Sequence, residues 1–218
     1  MMKRIAVLVS GGGTNLQALI DAQGRGELTG GRITLVLSSS PSAYALTRAA
    51  DAGIPSVVVS RADYPDNGAL THAIAEQLAA AKIDLVVLAG FMYILSEELT
   101  EAYPNAVINV HPALIPSFCG PGAYGLHVHE KALAYGVKVS GATVHFVSPE
   151  CDGGPIILQK AVPVEEGDTP AVLQRRIMEQ AEWKLLPAAV SLFCQDRLRV
   201  EGRIVHILPE AESEEERK

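Results

Sequence analysis

Five short runs in the first half of the chain are apolar at nearly every position: Ile5–Val9, Ile33–Ser38, Val57–Val59, Leu85–Ala89 and Ala106–Val110. A strand with one face in water alternates apolar and polar side chains, whereas one that fails to alternate is covered on both faces. Between these runs lie helical patterns at Asn15–Gln23, Ala43–Ala52 and Gly68–Ala81, with a shorter one opened by Ser96-Glu97-Glu98. Doubly covered strands alternating with helices imply a parallel sheet between helix layers, joined by right-handed crossovers. The fold class is therefore α/β, doubly wound, with a mostly parallel sheet flanked by helices.

Beyond residue 110 the pattern changes. Pro112 to Gly125 holds too many Pro and Gly residues for a regular element, and Leu126–Tyr135 recovers helical spacing. Val139–Val147 alternates and predicts a strand with unlike faces; Ile156–Val164 is a second, and the pair extends the sheet as a mixed or antiparallel portion. Asp168-Thr169-Pro170 starts a helix, with Thr169 as cap and Pro170 in the first turn, running to about Ser191 and bending near Pro187. Two short strands are expected around Arg199 and Val205. Residues 1–209 read as a single domain, and 210–218 as an acidic, frayed tail.

With 18 Lys+Arg against 25 Asp+Glu, the net charge of −7 argues against nucleic acid as a partner, which would call for a basic face. The cysteines Cys119, Cys151 and Cys194 are odd in number and widely spaced, so neither a disulfide framework nor a zinc pair is read from them, and a cytoplasmic setting is expected. The apolar run after Lys3-Arg4 is too short for a signal-peptide core. Leu85–Leu95, the longest apolar stretch, falls well short of the ~20 residues that span a bilayer, so no membrane association is expected.

The first strand leads into Ser10-Gly11-Gly12-Gly13-Thr14-Asn15-Leu16-Gln17 and then a helix. Glycines there let backbone amides approach a ligand, and a helix N-terminus favours an anion. A dinucleotide site would need a third Gly at the helix start, where Leu16 stands, and an acid after the second strand, where Ser38-Ser39-Ser40 stand. The Gly-Lys-Ser/Thr of an ATP loop is absent too. Thr14 and Asn15 supply donors suited to a phosphate monoester; the plain alternative is a tight turn with Thr14 as helix cap.

Asn109 and His111, two apart at a strand's C-terminal end, can face one side, and ligands of open α/β sheets gather there. Asn109 can donate to an oxyanion, and His111 more strongly if protonated. Asp152, in Cys151-Asp152-Gly153-Gly154-Pro155, is a carboxylate that would favour that protonation. Each also has a structural reading, as turn cap or satisfied core group.

Taken together, these stretches closely resemble the phosphoribosylglycinamide formyltransferases, folate-dependent enzymes of purine synthesis. The resemblance rests on Ser10–Gln17, Val86–Leu95, Ile108–Pro116, Gly125–His129, Thr143–Val147 and Asp152–Gln159, in family order over roughly residues 3–200. It implies a Rossmann-like formyltransferase fold and transfer of the formyl group of 10-formyltetrahydrofolate to the amine of glycinamide ribonucleotide, without a metal, by a monomer or homodimer. It puts Asn109, His111 and Asp152 at the catalytic positions, Gly13, Thr14 and Asn15 at the substrate phosphate, and Met92, Tyr93, Ile94, Leu95 and Asn109 at the folate pteridine. His145 falls on the strand leading to the aspartate turn, as a direct participant or a supporting histidine.

The chain departs from the family pattern in four places. No Arg stands within Asp66-Asn67-Gly68, and Tyr93 occupies a frequent Arg position. The loop Ser117–Tyr124 is several residues longer than the commoner form, and the substrate-contact glutamate aligns with Ala181, between Glu179 and Glu182. His127 and His129 have strand-like metal spacing but no convergent acid; His127 as a site wall is the better reading, and Trp183 reads as core. A formyltetrahydrofolate hydrolase and a non-catalytic nucleotide-binding module remain as rival functions.

Overall fold

The computed structural model describes residues 2–210. Nine strands form one sheet in the order β3-β2-β1-β4-β5-β6-β7-β9-β8. The first five are β1 Lys3–Val9, β2 Gly31–Ser38, β3 Ser56–Val58, β4 Leu85–Leu88 and β5 Val107–His111, all parallel to one another. Their connecting helices are α1 Thr14–Gly24, α2 Ala45–Asp51, α3 Asn67–Ala80 and α4 Glu97–Ala102.

The absence of alternation in β1 has the expected cause. Ile5, Val7 and Val9 point into one core with Leu16 and Leu19 of α1, while Ala6 and Leu8 point into another with Leu70, Ile74 and Leu78 of α3. Successive side chains thus enter opposite cores, and none has a reason to be polar.

The expected mixed portion follows: β6 Val139–Phe146 runs antiparallel to β5, and β7 Ile156–Pro163 antiparallel to β6. A hairpin of β8 Leu198–Glu201 and β9 Ile204–Ile207 completes that edge. The two unlike faces expected of β6 are not found, because Ser140 to Phe146 are all buried. On one face Ala142 meets Leu173 and Ile177. On the other, the polar Thr143 is satisfied by the backbone after β5: its hydroxyl donates to Ala113 O at 2.7 Å and accepts from Ile115 N–H at 3.1 Å. Polarity on this strand marks a docked loop rather than solvent.

The long C-terminal helix is interrupted earlier than expected. α6 Pro170–Ile177, capped by the Thr169 hydroxyl, passes into a wide turn over Met178–Glu182 before α7 Trp183–Cys194, which accommodates Pro187. Between β5 and β6 the one regular element is α5 Leu126–Tyr135. Among the described residues no helix is long and apolar enough to cross a membrane. The tail expected over 210–218 lies outside the described residues beyond Glu210, which pairs with Arg197 at 3.0 Å.

From β1 the chain steps to β2 on one side and, after β3, returns to β4 on the other. A crevice opens at the carboxyl ends of β1 and β4, where that reversal occurs. β5 lies one strand further on, so its end stands about 10 Å from the end of β1.

Candidate active site

A cavity of about 690 Å³ occupies this crevice and is lined by Gly13, Thr14, Asn15, Met92, Tyr93, Ile94, Leu95, Asn109, His111 and Asp152. The size suits an elongated organic ligand.

Its first wall is the glycine turn. Gly13 has φ 70°, and a Cβ there would lie 2.7 Å from Ala45 Cβ, so glycine is required for both conformation and space. Gly13 itself is the cap position of α1, so Thr14 is not the helix cap of the plain reading. Among the described residues, the amides of Gly11, Gly12 and Gly13 have no protein acceptor. Such a turn, leading into a helix N-terminus, is suited to an anion.

The Asn15 side-chain amide is already engaged, donating to Glu182 Oε2 at 2.7 Å. The neighbour of Ala181 in sequence is thus the residue that Asn15 meets. Ala181 packs into the core with Leu173 and Ile177, and the residue after it reaches the cavity. The wide turn at Met178–Glu182 adds a residue to the helical repeat, which rotates the following side chains about 100° and carries Glu182 inward. One oxygen of each partner, Asn15 Oδ1 and Glu182 Oε1, is buried without a hydrogen bond.

Burial pushes the Glu182 carboxyl up to about 7, against the Asn15 bond that favours the ion. Since the folded value lies above the unfolded one, the stabilising effect of the neutral carboxyl is full below about 4.5 and is lost as pH rises to about 7. Glu182→Gln keeps an acceptor for Asn15 but cannot ionise. It is expected to be more stable than the parent protein at pH 8, by on the order of 3 kcal/mol, and indistinguishable near pH 4. Urea unfolding across that range measures the difference.

Asn109 and His111 stand on β5 as expected, and Asp152 sits in the turn between β6 and β7 at φ 54°. That turn needs Gly154, where a Cβ would stand 1.7 Å from Phe146 O. The Asp152 side chain, only 10% exposed, is 3.6 Å from His111 Nδ1 and 3.7 Å from His145 Nε2. His145 donates from Nδ1 to Phe146 O at 2.8 Å, which leaves Nε2 to accept from Asn109 Nδ2–H at 3.2 Å. Burial, reinforced by nearby His111, holds His145 below the ordinary imidazole value although Asp152 opposes the shift. It is therefore a neutral acceptor that orients the Asn109 amide, not half of an ion pair, and one Asn109 N–H remains for a ligand.

The long loop contributes through its main chain. Phe118 O accepts from His111 Nε2–H at 2.9 Å, and Gly120 N–H donates to Asp152 Oδ2 at 2.9 Å. The first bond puts one imidazole proton on Nε2, so a second proton must reside on Nδ1, the nitrogen nearest Asp152. Neither contact was legible from residue type. Cys119 lies between them, its thiol pushed up by burial and by Asp152, which makes it a poor nucleophile.

The remaining candidates separate. Met92, Tyr93 and Ile94 expose apolar surface at the cavity mouth, and Met92 N–H is held by Ser10 Oγ at 2.9 Å. Near Asn67 the cation present is Arg61, whose Nε–H donates to Asn67 Oδ1 at 3.2 Å outside the cavity. His127 pairs with Glu130 at the surface, whereas His129 is wholly buried and pushed down to about 4 by burial, so the two do not converge on a metal.

The formyl transferase family model matches residues 3–190. Phosphoribosylglycinamide formyltransferase of Haemophilus influenzae is 38% identical over 94% of this chain and 94% of its own length. The trifunctional purine biosynthetic protein adenosine-3 of Homo sapiens is 45% identical over 87% of this chain, which spans only 18% of that protein. The crystal structure of glycinamide ribonucleotide transformylase 1 from Symbiobacterium toebii has a TM-score of 0.90, 47% identity, and 95% of each chain covered.

Proposed function

The chain belongs to the formyl transferase family, and from that premise we propose that it passes a formyl group from 10-formyltetrahydrofolate to the amine of 5'-phosphoribosylglycinamide in purine synthesis, with Asn109, His111 and Asp152 as the catalytic groups. The observation that carries the assignment is the convergence of an amide donor, an imidazole and a carboxylate on one wall, about two strand spacings from the open amides of the glycine turn.

The chemistry needs no covalent enzyme intermediate, because a neutral primary amine is itself a nucleophile. Its attack moves negative charge onto the formyl oxygen. The free Asn109 N–H and a His111 imidazolium stabilise that charge, an effect worth about 2.7–4 kcal/mol for each donor. Asp152, 3.6 Å from His111 Nδ1, accepts, directly or through water, the proton lost by the amine; the tetrahedral carbon then breaks its bond to the folate nitrogen, which takes up that proton and leaves as tetrahydrofolate. Gly13, Thr14 and the backbone of Asn15 hold the phosphate, so remote binding energy sets the amine beside the formyl carbon. Glu182 Oε1 and Asn15 Oδ1, both without protein partners, suit the hydroxyl or amide donors of the ribonucleotide. Met92, Tyr93, Ile94 and Leu95 cover the pteridine.

Residues 1–209 act as one formyltransferase domain, a reading supported by a continuous sheet from β3 to β8. It works in the cytoplasm as a monomer or homodimer.

Absorbance of deformylated folate tests the activity. Product that appears only when ribonucleotide is added is expected; product without it points to hydrolysis, and none at all to a binding module. Asn15→Ala is expected to raise the ribonucleotide KM roughly tenfold or more, through loss of the Glu182 contact, and the folate KM far less. Equal rises in the two constants count against placing Asn15 and Glu182 on the ribonucleotide side of the cavity.

A further inference from the structure

The cavity is lined by Glu150, Asp152 and Glu182, and among the described residues no Lys or Arg joins them. A phosphate dianion entering the cavity therefore meets open amides but no Lys or Arg side chain in its walls. We propose that Arg48, which does not line the cavity, is the positioning residue that gives the glycine turn its affinity for phosphate; this rests on the phosphate reading above.

The geometry is specific. α2 packs against the back of the turn, where Ala45 N–H donates to Gly11 O at 3.1 Å. From the next turn of α2, Arg48 Nε–H donates to Gly12 O at 2.8 Å and Nη1–H to Gln17 Oε1 at 2.8 Å. Its guanidinium also lies 5.0 Å from the centre of the Tyr44 ring. The fork is thereby fixed from three sides, two of them fork-type hydrogen bonds that a lysine cannot reproduce.

In a trans peptide the carbonyl and the amide point in opposite directions. Holding Gly11 O and Gly12 O toward α2 therefore turns the amides of Gly12 and Gly13 the other way, and these are amides without a protein acceptor. Arg48 acts twice on a bound anion. It fixes the donors in place before binding, and it sets a full positive charge one peptide group behind them. Gly13, whose missing Cβ leaves room for Ala45, lets the start of α2 approach this closely.

The test compares the phosphorylated substrate with glycinamide riboside, the same molecule without phosphate. Arg48→Met is expected to raise the ribonucleotide KM about 10- to 100-fold, with kcat and the formylfolate KM affected by less than about threefold. It is expected to leave kcat/KM for the riboside close to the parent value, and to weaken competition by inorganic phosphate in parallel. Arg48→Lys, which keeps a charge but not the fork, is expected to recover only part of the affinity. Should Arg48→Met prove too unstable to assay, Arg48→Lys carries the same comparison. Equal losses on riboside and ribonucleotide reduce Arg48 to a structural prop and overturn the proposal, as does an unchanged ribonucleotide KM. If the parent protein itself handles both substrates equally, the phosphate assignment fails first, a result distinct from either.

Discussion

Asp152→Asn is expected to lower kcat for formyl transfer by about a thousandfold while the protein stays folded. The substitution preserves shape and one oxygen, so Gly120 N–H keeps an acceptor and the φ 54° turn is undisturbed. What goes is negative charge 3.6 Å from His111 Nδ1 and the site that takes up the amine proton. A melting temperature within about 4 °C of the parent would show that stability is nearly intact. Binding of a folate analogue checks that the cavity survives. Turnover near the parent rate would remove Asp152 from the chemistry and require another proton acceptor.

Asn109→Ala is expected to combine two losses. The oxyanion loses a donor, which lowers kcat by about 10²- to 10³-fold. The second loss is structural: His145 Nε2, buried and accepting from Asn109, is left without its partner, at a cost of about 1–3 kcal/mol. Kinetics and denaturant unfolding should therefore both register the change, unlike Asp152→Asn, where kinetics dominate. If unfolding moves and kcat does not, Asn109 serves only to satisfy His145.

Much of this molecule is legible in its sequence because the same physical signal recurs. Uninterrupted apolar runs at β1 and β4 follow directly from helices on both faces, and Thr169-Pro170 marks the start of α6 through capping chemistry. Asn109, His111 and Asp152 are chemically conspicuous where they stand. The sequence is silent where function passes through backbone geometry. Glu182 reaches Asn15 only because a wide turn rotates the helix, and no residue preference announces such a turn. β6 alternates in type yet is buried throughout, since the hydroxyl of Thr143 finds its partners in a loop thirty positions away in sequence rather than in water. Arg48 escaped notice for a related reason: its partners are a carbonyl and a neutral amide, and neither leaves a trace in composition.

The clasp made by residues 117–124 bears on how this protein can vary. Phe118 and Gly120 reach His111 and Asp152 through atoms that every amino acid, or every one but proline, carries. Natural drift can thus recolour the outer surface of that segment, changing its charge or bulk, while the imidazole and carboxylate keep their attachments. A change in segment length, or a proline at position 120, has no such immunity. Apart from Gly120 and Gly122, whose φ of 86° and 79° favours glycine, selection on this stretch should act on its spacing more than on its spelling.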